Sequence, residues 1–226
     1  MRFIGVYDYT VILTYIRLAS SIVGMTQAIH GDYKMAILCL AFSGVCDAFD
    51  GRVARTKKNR TEDEKNFGIQ LDSLCDVICF GVFPALICYL LGVRGTLGLP
   101  IVCFYCLCAV ARLAFFNVIE GKRQKEEGGC NKTYRGLPVT SISFILPMMF
   151  WFQFLIPDFT FLVLLHILLI VVGFLFILDF YLIISSVDTY SLFCGRYIPE
   201  SLFSMDILTN SHKLYMYIIL LSFYHQ

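Results

Sequence analysis

Long apolar runs separated by short polar stretches dominate this chain. A helix needs about 20 mostly apolar residues to cross a bilayer. Six stretches reach that length: residues 10–29, 33–54, 69–92, 97–119, 138–157 and 159–184. The runs are continuous rather than alternating, and a lipid-facing backbone must satisfy its own polar groups, so helices are expected rather than strands. The pattern predicts an all-α integral membrane protein with six transmembrane helices. No internal repeat and no low-complexity linker divides it. One membrane domain is expected over residues 1–184, followed by a tail, 185–226, of unknown role. Within that tail, residues 214–224 are apolar but too short to span, and read as an interfacial segment.

Composition narrows the class. Hydrophobic residues make up 58% of the chain and charged residues 15%, with a mean hydropathy of +0.73, whereas a soluble domain carries roughly 25% charged residues. A soluble enzyme, a disordered chain and a DNA-binding domain are excluded. There are 10 cysteines. Most of them, including Cys39, Cys46, Cys75, Cys79, Cys88 and Cys108, fall inside apolar runs, where a thiol packs as a small hydrophobe. Cys103 and Cys106 form a lone CxxC with no second pair and no neighbouring histidine, which argues against zinc. His30, His166, His212 and His225 are scattered without ligand spacing. No removable signal peptide is expected.

The net charge of +1 is uninformative, but its distribution is not. Arg52, Arg55, Lys57, Lys58, Arg60 and Lys65 crowd one loop region, and Lys122, Arg123, Lys125, Lys132 and Arg135 another. The positive-inside rule places both regions, and with them both termini, in the cytoplasm. These charges also suit attraction to anionic headgroups.

The informative anomaly is acidic. Asp47 and Asp50 end the second run, and Asp72 and Asp76 begin the third. Carboxylates within spans are costly and mark function by default. Spacings of three and four put each pair on one helix face. The helices are joined by a short basic loop, so the two acidic faces can meet at the cytoplasmic membrane boundary. Four carboxylates so close need a counter-charge. An oxygen-only set selects Mg²⁺ or Mn²⁺ over Zn²⁺, and two such ions suit phosphoryl chemistry. Gly51, Ala54 and Gly68 share these faces and allow close approach of a ligand, or serve helix packing. Arg55 is placed to meet phosphate oxygens.

Residues 47–76, DAFDGRVARTKKNRTEDEKNFGIQLDSLCD, resemble the signature of the CDP-alcohol phosphatidyltransferase family. That signature reads D-x-x-D-G-x-x-A-R, a spacer, then G-x-x-x-D-x-x-x-D. Asp47, Asp50, Gly51, Ala54, Arg55, Gly68, Asp72 and Asp76 fill its fixed positions. The resemblance implies an enzyme that displaces cytidine monophosphate from a CDP-linked donor. It implies metal ligation by Asp47, Asp50, Asp72 and Asp76, with Asp76 as candidate base. Asp47, Gly51, Ala54, Arg55 and Gly68 would form the CDP site, and a homodimer is implied as well.

Further stretches are similar to the bacterial-type phosphatidylserine synthase branch of that family: YDYTVILTY at 7–15, FGIQLDSLCDVICFGVFPAL at 67–86, RLAFFNV at 112–118 and YRGLP at 134–138. This likeness covers residues 1–180 or so and implies CDP-diacylglycerol and L-serine as substrates. Arg112, Asn117 and Arg135 are the acceptor or phosphate candidates. For Arg112 the competing reading is a snorkelling side chain, for Asn117 a polar helix end, and for Arg135 a topology-setting charge. Arg17, in T-x-x-R with Thr14, is a possible phosphate contact. Ser73 points off the aspartate face and reads as packing. Another acceptor, such as glycerol 3-phosphate or inositol phosphate, and an ether-linked archaeal donor stay open, as does a divalent-cation transporter.

Overall fold

Residues 9–56, 61–125, 134–179 and 181–182 are described in the computed structural model. The basic positions Lys57, Lys58, Arg60 and Lys132 and the whole tail from 185 onward lie outside the described residues.

Helix α1 spans Tyr9–Ile29 and α2 spans Tyr33–Thr56. The link between them is a tight reversal: Gly31 adopts φ +88°, a conformation that disfavours any side chain. Asp32 then caps α2, its carboxylate accepting from the Met35 amide at 3.1 Å. The two helices lie close along their length. The Ser21 and Ser43 hydroxyls are 2.8 Å apart, and a Cβ on Gly24 would collide with the Phe83 ring and with Cys39. Small and hydroxyl residues are what membrane helices use to approach one another.

Helix α3, Glu62–Asp76, starts earlier than the apolar run at 69 predicts. A capping box fixes this start. Thr61 Oγ1 accepts from the Glu64 amide at 3.2 Å, and the Glu64 carboxylate accepts from the Thr61 amide at 3.1 Å. Glu62, Asp63 and Glu64 also face the positive end of the helix dipole. The rod continues through a π-helical turn, Val77–Val82, into α4, Phe83–Leu91. Pro84 has no amide to offer the carbonyl of Phe80. Tyr105 supplies the missing donor, its hydroxyl lying 2.7 Å from that carbonyl oxygen.

Helix α5 runs from Gly95 to Lys125, α6 from Ile142 to Trp151 between two 3₁₀ turns, and α7 from Asp158 to Ile177. The last helix stops short of the predicted 184. The chain turns extended at Leu178, and β2 (Tyr181–Leu182) pairs antiparallel with β1 (Tyr134–Arg135). This two-residue clasp is the one departure from an all-helical fold among the described residues. Helices α5 and α7 pack through aromatic rings: Phe104 with Phe174 at 5.0 Å and Tyr105 with Phe176 at 5.7 Å between centroids.

Among the described residues, four stretches are long and apolar enough to cross a membrane: Val11–Ile29, Glu62–Leu91, Gly95–Ile119 and Asp158–Ile177. Val139–Leu155 is apolar but shorter. Helix α2 has the length, but Asp47, Asp50, Arg52 and Arg55 load its second half with charge. Six rods therefore match the six predicted runs, and four of them meet the membrane-crossing criterion. Large apolar side chains such as Ile12, Leu107, Phe154 and Phe159 point outward, as lipid-facing positions must.

Candidate metal centre

Three helices build one polar cluster inside this apolar body. Helix α1 contributes Thr14 and Arg17, three residues apart and so on one face. Helix α2 contributes Asp47 and Asp50, and α3 contributes Asp72 and Asp76. All four sequence-predicted carboxylates converge on the Arg17 guanidinium, which is fully buried. Arg17 Nη1 donates to Asp47 Oδ1 and lies 3.1 Å from Asp76 Oδ1 and 3.7 Å from Asp50 Oδ2. Nη2 donates to Asp72 Oδ1 at 2.8 Å and reaches the Asp72 carbonyl at 3.3 Å. The Phe80 ring, carried by the π-helical turn, closes one side of the guanidinium at 5.8 Å from its centroid.

The backbone of Arg17 is held as firmly as its side chain. Ser43 Oγ donates to its carbonyl oxygen at 3.3 Å, and the Cys79 thiol approaches the same oxygen at 4.0 Å. Thr14 Oγ1 donates to Asp50 Oδ2 at 3.0 Å. That bond leaves Asp50 Oδ1 buried without a hydrogen-bond partner, and Asp76 Oδ1 is buried in the same condition.

The cluster has a closed end and an open end. Side-chain exposure is 9% for Asp50 and 12% for Asp76, but 46% for Asp72. Asp72 is thus the most solvent-accessible of the four carboxylates. Carboxylate oxygens of Asp47, Asp50 and Asp72 all lie within 4.8 Å of one another, close enough to share an ion. The residues fit a hard divalent cation on three grounds. The donors are all oxygen, one arginine cannot balance four carboxylates, and the buried Asp50 Oδ1 and Asp76 Oδ1 accept no hydrogen bond.

The remaining predicted residues fall at different distances from this centre. Gly68 is half-buried on α3, one turn before Asp72. Gly51, Ala54 and Arg55 continue α2 beyond Asp50; their side chains lie outside the described residues, as do those of Lys122, Arg123 and Lys125. Asn117 is tied to the acidic helix, because Ser73 Oγ donates to its Oδ1 at 2.7 Å. Ser73 does point off the aspartate face, but it joins α3 to α5 by a hydrogen bond rather than by packing alone. Arg112 is 7% exposed and so does not snorkel. It lies under the clasp, where a Cβ on Gly136 (φ +70°) would be 3.0 Å from its Nη1. Arg135 belongs to β1 and pairs with Tyr181; its side chain lies outside the described residues.

Two of these contacts were not part of the sequence reading. Arg17, read there as a possible phosphate contact, meets the four carboxylates, and Thr14, which had no assigned role, binds Asp50. The signal in the sequence went only part of the way: an arginine in mid-span must find an anion, but which anion depends on helix packing.

Residues 10–178 match the family model for CDP-alcohol phosphatidyltransferase. The chain is 42% identical over 108 residues to the CDP-diacylglycerol–serine O-phosphatidyltransferase of Saccharomyces cerevisiae, a match covering 46% of this chain and 38% of that protein. It is 39% identical over 106 residues to the enzyme of the same name from Helicobacter pylori, covering 44% and 43% respectively. It is 32% identical over 133 residues to the archaetidylserine synthase of Methanothermobacter thermautotrophicus, covering 58% and 54%. These matches span about half or less of each relative's length. No solved structure matches the chain.

Proposed function

The chain belongs to the CDP-alcohol phosphatidyltransferase family, and from that premise we propose that it transfers the phosphatidyl group of CDP-diacylglycerol to the hydroxyl of L-serine, yielding phosphatidylserine and cytidine monophosphate. The observation that carries this reading is the convergence of Asp47, Asp50, Asp72 and Asp76 on one buried point. The serine-specific names of the relatives favour this acceptor over a phosphorylated one.

In this reading residues 1–184 form the catalytic membrane domain. Six helices span the cell membrane, both termini are cytoplasmic, and the aspartates face the cytoplasmic side. Asp47, Asp50, Asp72 and Asp76 hold two ions, Mg²⁺ or Mn²⁺. When bound, these ions neutralise the pyrophosphate and favour departure of the nucleotide. Gly51, Ala54 and Gly68 leave room for the CDP moiety beside Asp47, and Arg55 binds its phosphate oxygens. Asp76 accepts the serine hydroxyl proton as the serine oxygen bonds to phosphorus and the bond from phosphorus to the cytidine monophosphate oxygen breaks. Arg112, Asn117 and Arg135 recognise the acceptor, with a guanidinium suited to the serine carboxylate. No cysteine or serine nucleophile is expected on the aspartate face, which favours direct attack. The enzyme acts as a homodimer among bilayer lipids. The archaeal relative supports a second donor, an ether-linked CDP-lipid, on the same site.

The test uses detergent-solubilised protein with Mn²⁺ or Mg²⁺, labelled L-serine and either donor. Glycerol 3-phosphate and inositol phosphate run in parallel, with Asp76→Ala as the blank. Label entering lipid from serine alone, and only with Asp76 intact, is the expected result. Transfer to another acceptor overturns the assignment of serine and of Arg112 and Asn117. No transfer to any acceptor by folded, metal-loaded protein overturns the enzymatic reading and reopens those of a divalent-cation transporter and of a catalytically silent scaffold.

A further inference from the structure

Arg17 engages all four carboxylates that a metal ion would draw on. Its Nη1 is shared by Asp47, Asp50 and Asp76, and its Nη2 by Asp72. A small divalent ion binds carboxylate oxygens at about 2.0–2.1 Å. An ion held by Asp47, Asp50 and Asp72 therefore draws on the same carboxylates that the guanidinium already engages. The two cations cannot both use Asp47 Oδ1 and Asp72 Oδ1 at full strength.

The guanidinium cannot escape the conflict by losing its proton. It can move. The Arg17 carbonyl is anchored by Ser43 and Cys79, so the helix stays in place. The side chain is held at its terminal nitrogens, and its buried Nε has no hydrogen-bond partner. A swing of the side chain thus leaves the anchors of its own backbone intact and gives up, besides the carboxylate contacts, one bond to the Asp72 carbonyl.

Resting on the metal reading above, we propose that Arg17 is the resident counter-cation of the aspartate cluster. It holds the four carboxylates together when no ion is bound, and it competes with the ion for them. Two consequences follow from the geometry. The metal-free protein holds its aspartate helices together better than it would without Arg17, because each carboxylate keeps one shared positive partner. Metal affinity is set below what the carboxylates alone would give, because binding must first displace a bound group. A residue serving only as a phosphate contact would have neither effect. A residue serving only to pack the helices would stabilise metal-free and metal-loaded protein alike.

The experiment compares the full chain with its Arg17→Met and Arg17→Lys variants in detergent after chelation. Free Mn²⁺ is titrated by electron paramagnetic resonance, and thermal unfolding is followed with and without Mn²⁺. Arg17→Met is expected to bind Mn²⁺ about tenfold more tightly or better, the equivalent of one decade in Kd. Its metal-free form should melt well below that of the wild type, with Mn²⁺ restoring most of the loss. Arg17→Lys, a point charge that reaches fewer carboxylates, should fall between the two. If Arg17→Met holds its fold only with Mn²⁺ present, unfolding on chelation supports the proposal, and Arg17→Lys supplies the affinity comparison. Equal or weaker Mn²⁺ affinity in the variants overturns the role of Arg17 and leaves the metal site standing. Wild-type protein that takes up no Mn²⁺ overturns the metal reading itself.

Discussion

The molecule buries two kinds of interior side by side. Between α5 and α7 the contacts are rings and branched chains: Tyr105 against Phe176, Phe104 against Phe174, with Leu165 and Leu169 fully covered. Among α1, α2 and α3 the interior holds one arginine, four carboxylates, a threonine and paired serines. The first interior stabilises through dispersion and close fit, which lipid cannot match in density. The second gains little from burial and is costly unless every charge finds a partner. A membrane fold has no reason to keep such a cluster for stability alone, which makes the polar half the place to look for chemistry. The comparison also assigns a role to the π-helical turn. It lies where the two interiors meet, offering Phe80 to Arg17 on one side and its carbonyl to Tyr105 on the other.

Substitutions in the two halves should separate chemistry from stability. The largest effect is expected for Asp76→Asn, which keeps the shape and removes the base: transfer should fall by about 10²–10⁴-fold, measured as the initial rate with labelled serine. An unchanged rate would move the base elsewhere. Thr14→Val removes the hydroxyl that orients Asp50, and Mn²⁺ affinity should weaken by about 10–100-fold in a binding titration, the usual effect of losing a group that holds a metal ligand. Tyr105→Phe acts across the boundary. It leaves the buried Phe80 carbonyl without a donor and should cost about 1–3 kcal/mol in an unfolding measurement, with Mn²⁺ affinity unchanged. A matching loss of affinity would mean that the two interiors are one unit. The smallest effect is expected for Ser73→Ala. Loss of one hydrogen bond, worth about 0.5–1.5 kcal/mol, should raise the KM for serine by up to about tenfold and leave kcat near its original value.

The six apolar runs were legible because burial in lipid demands long, continuous hydrophobicity, and each run became a helical rod. Their ends were less legible. The start of α3 at Glu62 was written in the chain as Thr61-x-x-Glu64, but a reading by apolar content passes over a charged first turn. The end of α7 at Ile177 has no such mark. Asp179 is the one charge between Leu178 and Leu182, and the pairing of Tyr181 and Leu182 with a segment more than forty residues upstream sets the conformation of those two residues. The meeting of Asp47, Asp50, Asp72 and Asp76 followed from spacing, because residues three and four apart on adjacent helices share a face. Arg17 was visible as a charge in mid-span, yet its partner was not. Only the packing of α1 against both acidic helices brings its two terminal nitrogens within reach of all four carboxylates. The link from Ser73 to Asn117 depends likewise on how α5 packs against α3, which no local pattern encodes.

The central claim is that the aspartate cluster performs transfer only with a divalent ion bound. The most direct test strips the purified protein with chelator and follows labelled serine into lipid from CDP-diacylglycerol, before and after Mn²⁺ is returned, in the wild type and in Asp72→Ala. No transfer in chelator, recovery in the wild type and none in Asp72→Ala is the predicted result. Transfer at the original rate in chelator, or full recovery in Asp72→Ala, would contradict it.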